Sequence, residues 1–160
     1  MSGAASEPFT LRGVIPVRYL LPSGLVTADT IKGEPCIQLK VSFQKPTPVQ
    51  GGFWVGGLIP VIALIDTGAE WNLVDKTLVA LHGSPAIETL VNHGIVGSAL
   101  ITNHAVTLHL AEASMNHQTG AATVDLSGRA VPWQMILGRK FLQIARFTYD
   151  HAAGIKEIGI

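Results

Sequence analysis

Between residues 37 and 44 apolar and polar side chains alternate strictly: Ile37, Leu39, Val41 and Phe43 against Gln38, Lys40, Ser42 and Gln44. Successive side chains of an extended chain point to opposite faces, so this pattern predicts a strand with one wet face. Pro46 and Pro48 end it, and Gly51-Gly52 predicts a turn. Residues 58–65 are almost uniformly apolar, which predicts a strand buried on both faces. A short helix is expected between Asp75, as its N-cap, and Gly83, just past its end. Val106, Leu108 and Leu110 alternate again, as do Ala122, Val124 and Leu126, and both sets predict strands. Phe141, Leu142 and Ala145 fall at helical spacing behind Gly138, and residues 147–150 and 155–160 predict a closing hairpin around Gly154. Residues 1–30 carry scattered Pro and Gly without a period and read as an N-terminal arm or extended lead-in, leaving 31–160 as the folded domain. The expected class is all-β with one or two short helices; no regular βαβ alternation supports a doubly wound sheet.

Composition narrows the function classes. In 160 residues, 48% are hydrophobic and 14% charged, which excludes a chain too polar to fold. Eleven basic residues balance eleven acidic ones, so no positive excess exists to hold a phosphate backbone, and nucleic acid is not an expected partner. Cys36 is the sole cysteine, so no intrachain disulfide forms. The first residues lack the basic head and apolar run of a secretion signal. The most apolar stretch, residues 53–65, is interrupted by Gly56, Gly57 and Pro60 and falls short of the ~20 residues of a membrane helix. A cytoplasmic chain with no membrane insertion is the expectation. Its apolar content also gives it a reason to bury surface in an oligomer.

The chemistry concentrates in Ala63-Leu64-Ile65-Asp66-Thr67-Gly68-Ala69. A carboxylate directly behind an apolar strand is costly to bury unless it is hydrogen-bonded or used. Gly68 permits a tight turn that brings backbone N–H groups to the carboxylate, and Thr67 brings a hydroxyl. The plain alternative is an Asp that merely caps a turn. Downstream, Met135-Ile136-Leu137-Gly138-Arg139 leads into the second expected helix, and His93-Gly94-Ile95-Val96-Gly97-Ser98 lies between the two blocks. Together these resemble the retropepsin-like aspartic proteases over roughly residues 35–160. In that family an apolar strand runs into Asp-Thr-Gly-Ala, two apolar residues and a Gly open a short helix, and a glycine-bearing hairpin forms a flap. The tail is similar to cellular and bacterial members rather than to the viral enzymes. Glu70, Trp71 and Asn72 depart from the family's usual residues after Asp-Thr-Gly-Ala.

The resemblance implies a closed β-barrel half-fold whose active site lies at a two-fold dimer interface. Peptide hydrolysis of this type needs two carboxyl groups sharing a proton, and the chain carries one motif, so a homodimer with Asp66 at the axis follows. Asp125-Leu126-Ser127-Gly128 is the nearest imitation and reads as a turn. The implied catalytic set is Asp66, Thr67 and Gly68. Ala69, Glu70, the flap residues Gly94, Ile95, Val96 and Gly97, and the walls Trp133 and Ile136 would bind an extended peptide with apolar residues at the cut. Gly138 and Arg139 would support the loop, with Arg139 paired to Glu70. No cofactor is called for. The six histidines show no paired short spacing, so no zinc site is expected. Cys36 lacks a basic neighbourhood, and residues 51–57 precede a strand and not the helix of a phosphate loop. Two readings stay open: an active dimeric endopeptidase, and a retropepsin-like domain that no longer cuts and serves as a dimerisation or peptide-binding module.

Overall fold

The computed structural model describes residues 13–28, 33–84, 86–94, 97–129, 131–150 and 152–160. The chain begins with β1 (Val14–Pro16), β2 (Arg18–Leu20) and β3 (Val26–Thr27), followed by β4 (Glu34–Ser42). A small hairpin of β5 (Thr47–Val49) and β6 (Gly52–Trp54) leads to β7 (Ile59–Ile65) and β8 (Leu73–Asp75). Helix α1 (Lys76–His82) precedes a long hairpin of β9 (Ala86–Gly94) and β10 (Gly97–Leu110), which returns as β11 (Met115–Val124). The chain closes with β12 (Met135–Leu137), α2 (Arg139–Leu142), β13 (Arg146–Asp150) and β14 (Ile155–Gly159). The fold is mostly β with two short helices.

Nine strands join in the order β3-β2-β4-β7-β12-β8-β11-β10-β9, and a further pairing of β4 with β10 closes β4, β7, β12, β8, β11 and β10 into a ring. The closing seam is short: Thr107, Leu108 and His109 lie opposite Ser42, Val41 and Lys40. Inside the ring Ile37, Val41, Ala63, Val74, Leu108, Met135 and Leu137 are fully buried. The alternation read over residues 37–44 holds at Gln38 and Lys40, exposed between buried neighbours, and fails at Ser42, which is fully buried and donates to the Gly56 carbonyl. Strand β7 departs from the expectation of burial on both faces. Val61, Ala63 and Ile65 point into the core, whereas Ile62 and Leu64 are half-buried, because only one face of the ring is covered by other strands.

The lead-in adds structure from Val14 onward. Strand β1 pairs with β14 and β2 pairs with β4, burying Ile15, Val17, Tyr19 and Leu20. A core side chain of that size contributes about 1.5–3 kcal/mol, so this stretch is part of the domain's core. Residues 1–12 of the expected arm lie outside the described residues. Helix α1 starts after Asp75 and ends at Gly83 in the left-handed conformation (φ 68°), as its sequence predicts. The closing hairpin also forms, turning through Gly154 at φ 69°. The β5–β6 hairpin was not expected, since Pro48 reads as a stop; an isolated edge strand tolerates it because its N–H side needs no partner. No helix among the described residues is long and apolar enough to cross a membrane.

Candidate active site

Strand β12 inserts between β7 and β8, parallel to the first and antiparallel to the second. The chain from β7 to β8 therefore has to cross over the end of β12, and that crossing is the segment Asp66–Asn72. The Asp66 N–H donates to the Leu137 carbonyl oxygen at 3.0 Å, fastening the carboxylate-bearing residue to the end of β12. Its Oδ1 accepts the Gly68 N–H at 2.9 Å, and its carbonyl accepts the Ala69 N–H at 3.2 Å. Asp66 is half-buried, while Thr67 and Gly68 are exposed and the Thr67 hydroxyl has no partner among the described residues. The turn thus presents one carboxylate at the surface with its orientation set by backbone.

Helix α2 is docked on the same crossing. The Arg139 N–H donates to the Ala69 carbonyl at 2.8 Å and the Lys140 N–H to that of Glu70 at 3.1 Å. Gly138 is buried where a side chain has no room: a Cβ would collide with the Trp71 carbonyl oxygen and come within 2.7 Å of that of Ala69. The expected Glu70–Arg139 ion pair is absent. Both side chains are exposed, and the two segments meet through these backbone hydrogen bonds and the side chain of Asn72. Lys76 and Asp125 instead form an ion pair at 3.1 Å.

The residue that locks the crossing is Asn72, fully buried. Its Oδ1 accepts the Gly138 N–H at 3.1 Å, and its Nδ2 donates to the Gly120 carbonyl and the Thr119 hydroxyl, each at 3.4 Å. Its own carbonyl accepts the Ala122 N–H at 2.8 Å. One side chain thus ties the turn to β11 and to the start of α2. Asn72→Ala leaves the buried Gly138 N–H unpaired, and a loss of about 1–3 kcal/mol is expected in denaturant unfolding. The sequence signal was a polar residue set between Trp71 and Leu73.

A buried carboxylate, Asp75, anchors the segment that leads toward β12. It accepts the Leu126 and Ser127 N–H groups at 3.1 and 3.3 Å and the Thr77 hydroxyl. Burial pushes its carboxyl upward, but the Thr77 hydroxyl and the Ser127 and Leu126 amides outweigh it and hold the group below the usual carboxylate range. A carboxyl depressed in the folded state contributes stability that is complete above its unfolded value, about 3.9, and is lost as pH falls through the folded value. Melting temperature should therefore drop in acid below about pH 4, and Asp75→Asn should flatten that part of the profile. Asp125 behaves as the turn residue expected, its Oδ1 taking the Gly128 N–H at 2.8 Å. That bond, with Lys76 beside it, also holds its carboxyl low.

The expected flap segment forms the far end of the β9–β10 hairpin. Gly94 lies opposite Gly97 and His93 opposite Ser98, whose hydroxyl is 2.8 Å from His93 Nδ1. From Asn103 toward the hairpin tip β10 loses its pairing with β11 and continues with β9 alone as a two-stranded arm, with Val91 and Leu100 exposed across from each other. Ile95 and Val96 lie outside the described residues. Ile136 is half-buried in the middle of β12, and Trp133 is half-buried just before it. The indole N–H groups of Trp71 and Trp133 are buried without an acceptor among the described residues.

Other chemistry recedes. Cys36 is fully buried in β4 and burial pushes its thiol up to about 11, far from the thiolate a nucleophile needs. His104 and His109, on opposite faces of β10, bond to the Ser84 carbonyl and the Asn116 side chain. Among the described residues no group of three or more His, Cys, Asp or Glu side chains is placed to hold a metal ion. Set against known proteins, the chain matches no family model and no curated protein.

Proposed function

We propose that the chain is a retropepsin-like aspartic endopeptidase that acts as a homodimer. The observation that carries this reading is Asp66: a carboxylate on an exposed turn, fastened to a central strand and oriented by the Gly68 N–H. The crossing of β7 to β8 over β12, the ring of strands and the two-stranded arm lend this reading support. A two-fold axis beside Asp66 would bring a second copy's Asp66 against it. Two carboxylates that close share one proton, because like charges disfavour double ionisation.

In that pair the ionised carboxylate takes a proton from water as the oxygen bonds to the peptide carbonyl carbon. The protonated partner hydrogen-bonds the carbonyl oxygen and stabilises its developing charge. Collapse of the tetrahedral species breaks the C–N bond, with the amine nitrogen receiving a proton from the dyad. The arm around residues 94–98 would close over an extended peptide and exclude solvent, and Trp133 and Ile136 would wall the cleft for apolar side chains. Incubation with casein across a broad pH range, with and without pepstatin, tests the activity, and sedimentation tests the dimer. Pepstatin-sensitive cleavage by a dimer is the expected result. A dimer that cuts nothing at any pH would move the reading to a silent dimerisation or peptide-binding module.

A further inference from the structure

The small sheet β1-β14-β13 ends on an open edge at β13. Residues of a middle antiparallel strand send their N–H and C=O groups to one neighbour and the other in alternation. Ile160 bonds Gly13 in both directions and Lys156 accepts the Val17 N–H, so residues 156, 158 and 160 serve β1. Residues 155, 157 and 159 therefore serve β13, at Asp150, Thr148 and Arg146. The N–H and C=O groups of Phe147 and Tyr149 are left pointing outward, and among the described residues no strand takes them. An edge of this kind is a template for another strand.

The sequence of the edge, Arg146-Phe147-Thr148-Tyr149-Asp150, selects the occupant. Turned antiparallel about Thr148, it is its own complement. Arg146 then faces the partner's Asp150, Phe147 faces the partner's Tyr149, and Thr148 faces the partner's Thr148. The outward groups of Phe147 and Tyr149 meet as hydrogen-bonded pairs, and the charged residues fall at the closer positions between them. Strand parity and charge thus agree on one register. Moving the two-fold axis by one residue puts Arg146 opposite Thr148, or Thr148 opposite Asp150, and the ion pairs are lost. Arg146, Tyr149 and Asp150 are exposed. Arg146 is engaged within its own chain, and a guanidinium carries several donors. None of the other edge strands, β1, β3, β5, β6 and β9, contains a Lys or Arg to face an acid.

We infer that the outer edge of β13 is the surface on which a second copy of this chain docks, joining the two small sheets into one. The inference supplies a contact for the homodimer of the proteolytic reading and rests on that reading for its use, but its test needs no hydrolysis. Only residues 143–145 separate β13 from α2, whose first amides hold the Ala69 and Glu70 carbonyls.

Arg146→Asp and Asp150→Arg each place like charges opposite one another on both sides of the axis. Sedimentation of the parent chain is expected to show a dimer. Either variant alone should dissociate about tenfold more readily, the combined effect of small exposed pairs made repulsive. Mixed in equal amounts, the two variants should recover the parent's dimer, since one chain is then acidic at both positions and the other basic. A hairpin merely loosened by substitution would not be repaired by mixing. High salt should narrow the gap. Thr148→Lys sets like charges at the axis and should weaken the dimer while leaving the Asp150 bond to the Ala153 N–H in place. A monomeric parent chain, or a mixture no tighter than its parts, overturns the surface. A dimer that all three variants leave unchanged and that cleaves casein overturns the surface and leaves the protease reading intact. Recovery on mixing in a chain that never cuts supports the surface and moves the reading to the silent module.

Discussion

Replacing Asp66 by Asn is expected to lower peptide hydrolysis by about 10²–10⁴-fold, the span of general acid–base catalysis, while leaving the fold in place. The amide oxygen can still accept the Gly68 N–H, so the turn keeps its shape. On the proposed mechanism, what disappears is the base that takes the proton from water. Circular dichroism and sedimentation should match the parent protein, and the measured loss should sit in kcat. Full activity in a clean preparation of this variant would sink the catalytic assignment, whatever becomes of the fold.

Gly138→Ala is expected to lower stability by about 3 kcal/mol, at the upper end of typical overpacking costs. Gly138 has φ −93° and ψ −167°, ordinary extended backbone that any residue adopts, so the reason is space and not conformation. The atoms a methyl would strike are the carbonyl oxygens of Trp71 and Ala69, which belong to backbone. The Ala69 carbonyl is already committed to the Arg139 N–H, so relief would cost the docking of α2. For a chain this long the melting temperature should fall by about 6–12 °C. A fall of less than a degree would show that the crossing yields more easily than its hydrogen bonds suggest.

Much of the ring was legible in the sequence because periodicity reports which side of a strand is wet. Residues 37–44 and 106–110 alternate, and both are ring strands with alternate side chains in the core. The end of α1 was legible for a similar local reason, since Gly83 takes the left-handed conformation that stops a helix. Its start falls after Asp75 as expected, although that carboxylate makes no cap bond and instead holds the Leu126 and Ser127 amides. The insertion of β12 was not, because three residues carry no period and their place depends on β7 and β8, far away in sequence. The candidate carboxylate was legible from its strand and glycine. Its supports were harder to see: Asn72 and Gln134 act through long-range bonds, Gln134 taking the Ile62 N–H at 2.9 Å. The resemblance misled at Glu70 and Arg139, where it implied a pair and the segments are joined by main-chain amides and the Asn72 side chain. The hairpin arm was placed by its glycines, but its length was not apparent, since an arm free of the ring has no buried face to print a pattern.

The insertion of β12 also sets an order of events during synthesis. When residues 59–75 leave the ribosome, β7, the turn and β8 exist as sequence, but the strand that belongs between them has not been made. The Leu137 carbonyl that fastens Asp66 and the Gly138 N–H that Asn72 holds arrive more than sixty residues after the turn they secure. Pairing across such a separation closes a long loop and is slow compared with local hairpins. The nascent chain therefore carries Asp66 without the bonds that orient it, and the turn takes its folded shape only once β12 has inserted between β7 and β8.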